Sequence, residues 1–223
     1  MSPVTRARAR PAARRAAVEK KRGRYHHGDL RRALLDAALD VLSREGAAAL
    51  TLREVARRAG VTHAAPYRHF TDKQALLAAV AEEGFRMLAS QMSEAWKKHE
   101  GDPVHGMEAI GAAYVCFATG QRAHFQVMFG KDIDWSRDHT GLEETADCCF
   151  EVLISAVQAC QGVGAIRPGD PLIPALCAWS MVHGLSELIA NGQFTAMDLA
   201  VPSVEELLGI FNRILIEGAR AKE

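Results

Sequence analysis

The sequence predicts an all-α fold. Apolar residues recur at spacings of three and four through almost every segment after residue 24. No stretch alternates with period two, and β-branched residues are sparse. With 223 residues the chain is long enough to bury a substantial core in one or two domains.

The elements follow in order. Residues 29–45 make the first predicted helix, with Leu30, Leu34, Ala38, Val41 and Leu42 on one face, Asp29 at its positive end and Gly46 just past its end. The second begins at Thr51, which forms a T-x-x-E capping box with Glu54. Leu52, Val55, Ala56 and Ala59 follow at helical spacing before Gly60 stops it. A short third helix covers residues 62–70. The fourth opens on a second capping box, Thr71 with Gln74, and carries Leu76, Leu77, Val80, Ala81 and Leu88. After a break at Gly101–Pro103 the pattern resumes with Met107, Ile110, Tyr114 and Phe117. A shorter piece, residues 122–129, ends at Gly130, and residues 130–141 read as a polar loop. Helices over 142–161, 171–190 and 203–219 complete nine, with no internal repeat. Residues 1–24, rich in Arg and Ala with little to bury, read as a disordered basic arm. Two domains, 25–90 and 91–223, divide within the fourth helix, so their boundary is not a flexible linker.

The formal charge is zero but unevenly spread. Residues 1–25 carry +8, residues 26–90 carry +1 and residues 91–223 carry −9. A basic front on an acidic body points to an anionic partner met by the N-terminal part. The five cysteines (Cys116, Cys148, Cys149, Cys160, Cys177) form neither metal-ligand spacing nor a disulfide framework. Lying on apolar helical stretches, they predict small hydrophobes in a reducing, cytoplasmic setting, with no metal and no cofactor. The longest uncharged run, residues 171–186, is broken by Pro174 and contains His183, which argues against a membrane span.

Residues 60–70, GVTHAAPYRHF, answer the charge asymmetry. A helix, a glycine turn and a short polar helix make a helix-turn-helix, whose second helix must be short and polar on its outer face to enter the major groove. Thr62, His63, Arg68 and His69 can donate to base edges or phosphates, and the Tyr67 hydroxyl to a phosphate. Lys73 lies at the next helix start, where free amides already favour an anion. Phe70 is expected to close a small core with Leu34, Val55 and Leu76. Pro66 cannot bond back to Thr62 and pushes Ala65 from helical angles, so the true helix is expected to begin near Pro66.

The motifs T-x-R-E-V-A-x-x-A-G-V, Y-R-H-F and D-K-x-A-L-L, within residues 28–75, resemble the TetR family of bacterial transcriptional regulators. The resemblance implies a nine-helix TetR-like fold, with a three-helix DNA-binding domain and a larger ligand-binding and dimerisation domain. It places the residues matching Thr62, His63, Ala65, Tyr67, Arg68, His69 and Lys73 at the DNA surface, with Thr51 and Arg53 as phosphate contacts. Pro66 departs from the pattern, since many members have leucine there. The resemblance further implies a homodimer built on the last two long helices, binding a palindromic operator in double-stranded DNA and released by a small-molecule effector.

Residues 177–190 strengthen this, because Trp179, His183 and Gly184 resemble the W-x-x-x-H-G signature of one subgroup. Glycine in mid-helix costs about 1 kcal/mol relative to alanine, which predicts a helix packed close to Gly184. His183 is either a core histidine or a polar anchor in an apolar pocket formed by Leu88, Met92, Tyr114, Phe117, Met128, Phe129, Leu153 and Trp179. No catalytic residue is expected. The alternatives are an enzyme using Cys177 with His183, whose spacing of six puts them on different helix faces, and a non-specific architectural DNA binder.

Overall fold

The computed structural model describes residues 27–219, so the basic arm, residues 1–24, lies outside the described residues. Nine α-helices and no strand occur among the described residues. They are α1 (His27–Glu45), α2 (Leu52–Arg58), α3 (Lys73–Lys97), α4 (Pro103–Gly120), α5 (Arg122–Phe129), α6 (Thr140–Gly162), α7 (Leu172–Ala190), α8 (Gln193–Ala196) and α9 (Val204–Ala219). The number matches expectation while the membership differs. The segment expected as a helix over 62–70 is a single 3₁₀ turn, Pro66–Arg68, and the unforeseen α8 makes up the nine.

Proline explains that difference. The Thr62 carbonyl accepts from Ala65 N at 2.9 Å, an i+3 bond, because Pro66 has no amide hydrogen for the i+4 bond. His69 N and Phe70 N then both reach back to the Pro66 carbonyl at 2.9 Å. Pro66 occupies the first position of the turn and is buried, while Tyr67 and Arg68 stand out from it, and Ala65, expected away from helical angles, keeps them at φ −63° and ψ −44°.

The elements before it obey local rules. Thr51 caps α2, its hydroxyl accepting from Glu54 N at 3.1 Å. Gly60, at φ +67°, ends that helix in a left-handed turn, with Val61 N bonded to the Ala56 carbonyl at 3.0 Å. Arg58 then ties α2 to α1 by pairing with Asp40, Glu45 and Glu54. Leu34, Val55, Phe70 and Leu76 are all buried together, as the pattern predicts.

The second expected capping box is displaced by one residue. Asp72, not Thr71, caps α3, accepting from Ala75 N at 2.9 Å. Gln74 is drawn instead to the loop after α5, donating to the Asp132 carbonyl at 3.0 Å and accepting from Asp134 N at 3.0 Å. Continuous α3 belongs to both halves. Leu76, Leu77 and Val80 serve the small N-terminal core, and Leu88 and Met92 the larger one.

The larger half wraps α4, α5 and α6 around the second part of α3, with α7 and α9 laid over α4. Close approach needs glycine at two points. A Cβ on Gly84 would lie 2.4 Å from the Met128 sulfur, and one on Gly106 would lie 2.7 Å from the Trp96 ring. Gly184 behaves otherwise: no described residue lies within 4 Å of a Cβ built there, so the neighbour expected for it is not found among the described residues. Leu172, Ile173, Leu176 and Leu188 on α7, with Ile210 and Ile214 on α9, are exposed. By length and composition alone α7 could cross a bilayer, but only Ala175, Leu185 and Ser186 of it are buried in the chain.

Candidate DNA reader and effector cavity

The reader is built from the cap of α2, the glycine turn and the 3₁₀ turn. Thr51, Arg53, Thr62, His63, Tyr67 and Arg68 are exposed on it, Tyr67 by 61 %. Ala65 is half-buried. Lys73, in the first turn of α3, donates to the Ala47 carbonyl at 2.6 Å, which anchors its ammonium at the edge of the reader with donors to spare. His69 turns the other way: its Nε2 is buried without a hydrogen-bond partner among the described residues, and the ring lines a crevice with Arg31, Glu82 and His139. Arg57 and Arg58 are engaged with acidic neighbours. Hydrogen bonds from Arg57 and then Arg58 hold the Glu54 carboxyl down at about 2.

A cavity of about 520 Å³ opens in the larger half, between α3, α4, α5, α6, α7 and α9. Of the residues expected to form it, Leu88, Met92, Tyr114, Met128, Phe129, Leu153 and Trp179 line it. Phe117 does not, being 1 % exposed within the core. His183 does not reach the lining either. It stands behind the wall, its Nδ1 2.8 Å from the Tyr114 hydroxyl, while Trp179 Nε1 donates to the same oxygen at 3.2 Å.

The proton positions follow from this geometry. Burial pushes the Tyr114 phenol well above its ordinary value, so it remains protonated. Its oxygen accepts from the indole and also shares a hydrogen bond with His183 Nδ1. Burial likewise lowers His183, against the pull of Glu187, which favours the neutral imidazole. Phe125 and Phe129 pack on that ring at 5.4 and 4.9 Å. His183 therefore orients the Tyr114 and Trp179 side chains of the cavity wall.

Sequence reasoning missed several lining residues. Trp135 projects from the polar loop over 130–139, where no periodicity marks it. Nothing in the sequence pattern singles out Glu108 or Asp147, yet both line the cavity. The Cys177–His183 pairing is not formed, since Cys177 is exposed and His183 Nδ1 is bonded to tyrosine. Cys116 and Cys148 are also exposed, contrary to their expected burial. Buried Cys149 and Cys160 are pushed up to about 12 and about 11, so both are neutral thiols.

Comparison with known proteins assigns both halves. The family profile described as bacterial regulatory proteins, tetR family, matches residues 34–80, and that described as tetracyclin repressor-like, C-terminal domain, matches residues 107–211. The chain belongs to the TetR family. A solved protein of unknown function from Rhodococcus sp. RHA1 is 34 % identical, with a TM-score of 0.77 over 89 % of this chain and 100 % of its own. An uncharacterized HTH-type transcriptional regulator of Haemophilus influenzae is 45 % identical over 69 residues, 30 % of this TetR-family chain and 34 % of that protein. The class A tetracycline repressor from transposon 1721, of Escherichia coli, is 34 % identical over 129 residues, 55 % of this chain and 53 % of that repressor. The matches to curated relatives thus span about a third to a half of their lengths.

Proposed function

We propose that this TetR-family protein is a cytoplasmic, homodimeric repressor that binds a palindromic operator and is released by a small-molecule effector. The observation that carries the reading is one continuous helix, α3, which holds Lys73 of the reader at its start and Phe85, Leu88 and Met92 of the cavity wall further along. Tyr67, Arg68 and Lys73 contact phosphates, with Thr51 and Arg53 beside them, and Thr62, His63 and Ala65 lie nearest the bases. His69 serves the packing of the reader against the body. The Trp179, His183 and Gly184 arrangement fits a W-x-x-x-H-G subgroup, with His183 as support rather than ligand anchor.

One short turn touches too few base pairs for specificity. Two turns related by a two-fold axis read half-sites about 34–36 Å apart or further. The dimer forms through α7 and α9. Their exposed apolar side chains need covering, and the open space over Gly184 admits a partner helix. The effector acts by favouring one spacing of the two readers. A second link joins cavity to reader: the loop over 130–139 brings Trp135 to the cavity and holds the start of α3 through Gln74 and through Arg137, whose guanidinium pairs with Asp72 at 2.7 Å.

A gel-shift titration against the protein's own upstream region tests this function. A discrete complex at moderate salt, lost with unrelated duplex, is expected. Equal affinity for any duplex would overturn it in favour of an architectural binder.

A further inference from the structure

Resting on the reading of the 520 Å³ cavity as the effector site, we infer that its occupant is a lipophilic organic cation. The cavity is of drug size, within the ordinary range of about 300–1,000 Å³. Its charged lining residues are both carboxylates, Glu108 on α4 and Asp147 on α6, and no lysine, arginine or histidine joins them among the described residues. Neither carboxylate has an ion-pair partner among the described residues. Glu108 is half-buried and Asp147 exposed, and beside the apolar wall their charge favours a positive guest and repels a negative one.

The rest of the wall agrees in sign. Phe85, Phe129, Phe150, Trp179 and Phe211 all line the cavity, and aromatic faces attract a cation through their quadrupoles. Asn212 is the uncharged amide among them. The Tyr114 hydroxyl is already engaged by His183 Nδ1 and Trp179 Nε1. A fatty carboxylate or a phosphate ester would meet two like charges and find no basic group to hold it. A hydrophobic amine, quaternary ammonium or phosphonium meets matching charge at the carboxylates and aromatic surface elsewhere.

Tetraphenylphosphonium and tetraphenylborate, nearly identical in shape and opposite in charge, separate the possibilities, with triphenylphosphine oxide as the neutral probe. Binding to the purified dimer is followed by tryptophan fluorescence and operator release by gel shift. The phosphonium is expected to bind and to release the operator, and the borate to do neither. Glu108→Gln is expected to weaken the phosphonium about tenfold and exposed Asp147→Asn about threefold, while each leaves the neutral probe within about twofold. Circular dichroism confirms that both variants fold. Equal or tighter binding of the borate, or carboxamide variants that bind phosphonium as well as the parent, would overturn the cation assignment while leaving the cavity as the effector site. Failure of all three probes to bind would overturn the assignment together with the effector reading.

Discussion

Replacing Tyr114 with phenylalanine isolates the polar cluster behind the cavity. The substitution keeps the ring, with its edge-on packing against Phe125 at 6.0 Å, and deletes the oxygen that joins Trp179 Nε1 at 3.2 Å to His183 Nδ1 at 2.8 Å. Two polar groups then lose their partner at once. A buried group left unsatisfied costs about 1–3 kcal/mol, and because Trp179 and His183 are half-buried the lower end applies to each, giving about 2 kcal/mol together. For a chain of this size that corresponds to a fall in Tm of about 4–8 °C. Thermal unfolding by circular dichroism at fixed protein concentration measures it. Trp179→Phe in the same background should add less than it does alone, because the indole has already lost its acceptor. A fall below about 1 °C, or strict additivity of the two changes, would show that the hydroxyl does not hold both rings and that His183 has no orienting role.

Gly184→Trp should leave the monomer folded, since no described residue occupies the space beside it, yet shift sedimentation from dimer to monomer and abolish operator binding. Gln74→Ala should leave effector binding within about twofold but reduce the effector-induced loss of operator affinity, read by gel shift with and without ligand. Tyr67→Ala or Arg68→Ala should weaken binding to all duplexes. Each phosphate that Arg68 no longer neutralises should lower the slope of log affinity against log salt by about 1. Acid should destabilise the fold through His124 and His183, both lowered chiefly by burial. The unfolded chain binds these protons more readily, so the contribution is complete above the ordinary histidine range and is lost as pH falls through the depressed values. Chemical denaturation at a series of pH values checks this.

Features decided within a few residues were legible in the sequence. Thr51 and Glu54 mark the start of α2 because a cap requires only a hydroxyl three residues from an amide. Gly60 marks its end because it adopts φ +67°. The proline in the reader was legible as a starting residue, but not that the helix would shrink to one 3₁₀ turn. The cap of α3 was misplaced because Thr71 and Asp72 can both serve, and the choice depends on a loop about sixty residues away that claims Gln74. His183 shows the larger limit. Its position on α7 was evident, but its partner is Tyr114 on α4, and the crossing of those helices is invisible in periodicity. Glu108 on α4 and Asp147 on α6 come to line one cavity for the same reason.

The unbroken run of α3 has a mechanical consequence. Leu88 at the cavity stands fifteen positions along from Lys73 at the reader, a rigid arm of about 22 Å. Swinging such an arm by about 5° displaces its tip by about 2 Å. Mirrored in the second subunit of the proposed dimer, that would amount to about 4 Å, more than the roughly 3.4 Å step of one base pair. A guest that shifts a few side chains by less than a bond length can therefore put two readers out of phase with the turn of the double helix, with no hinge required.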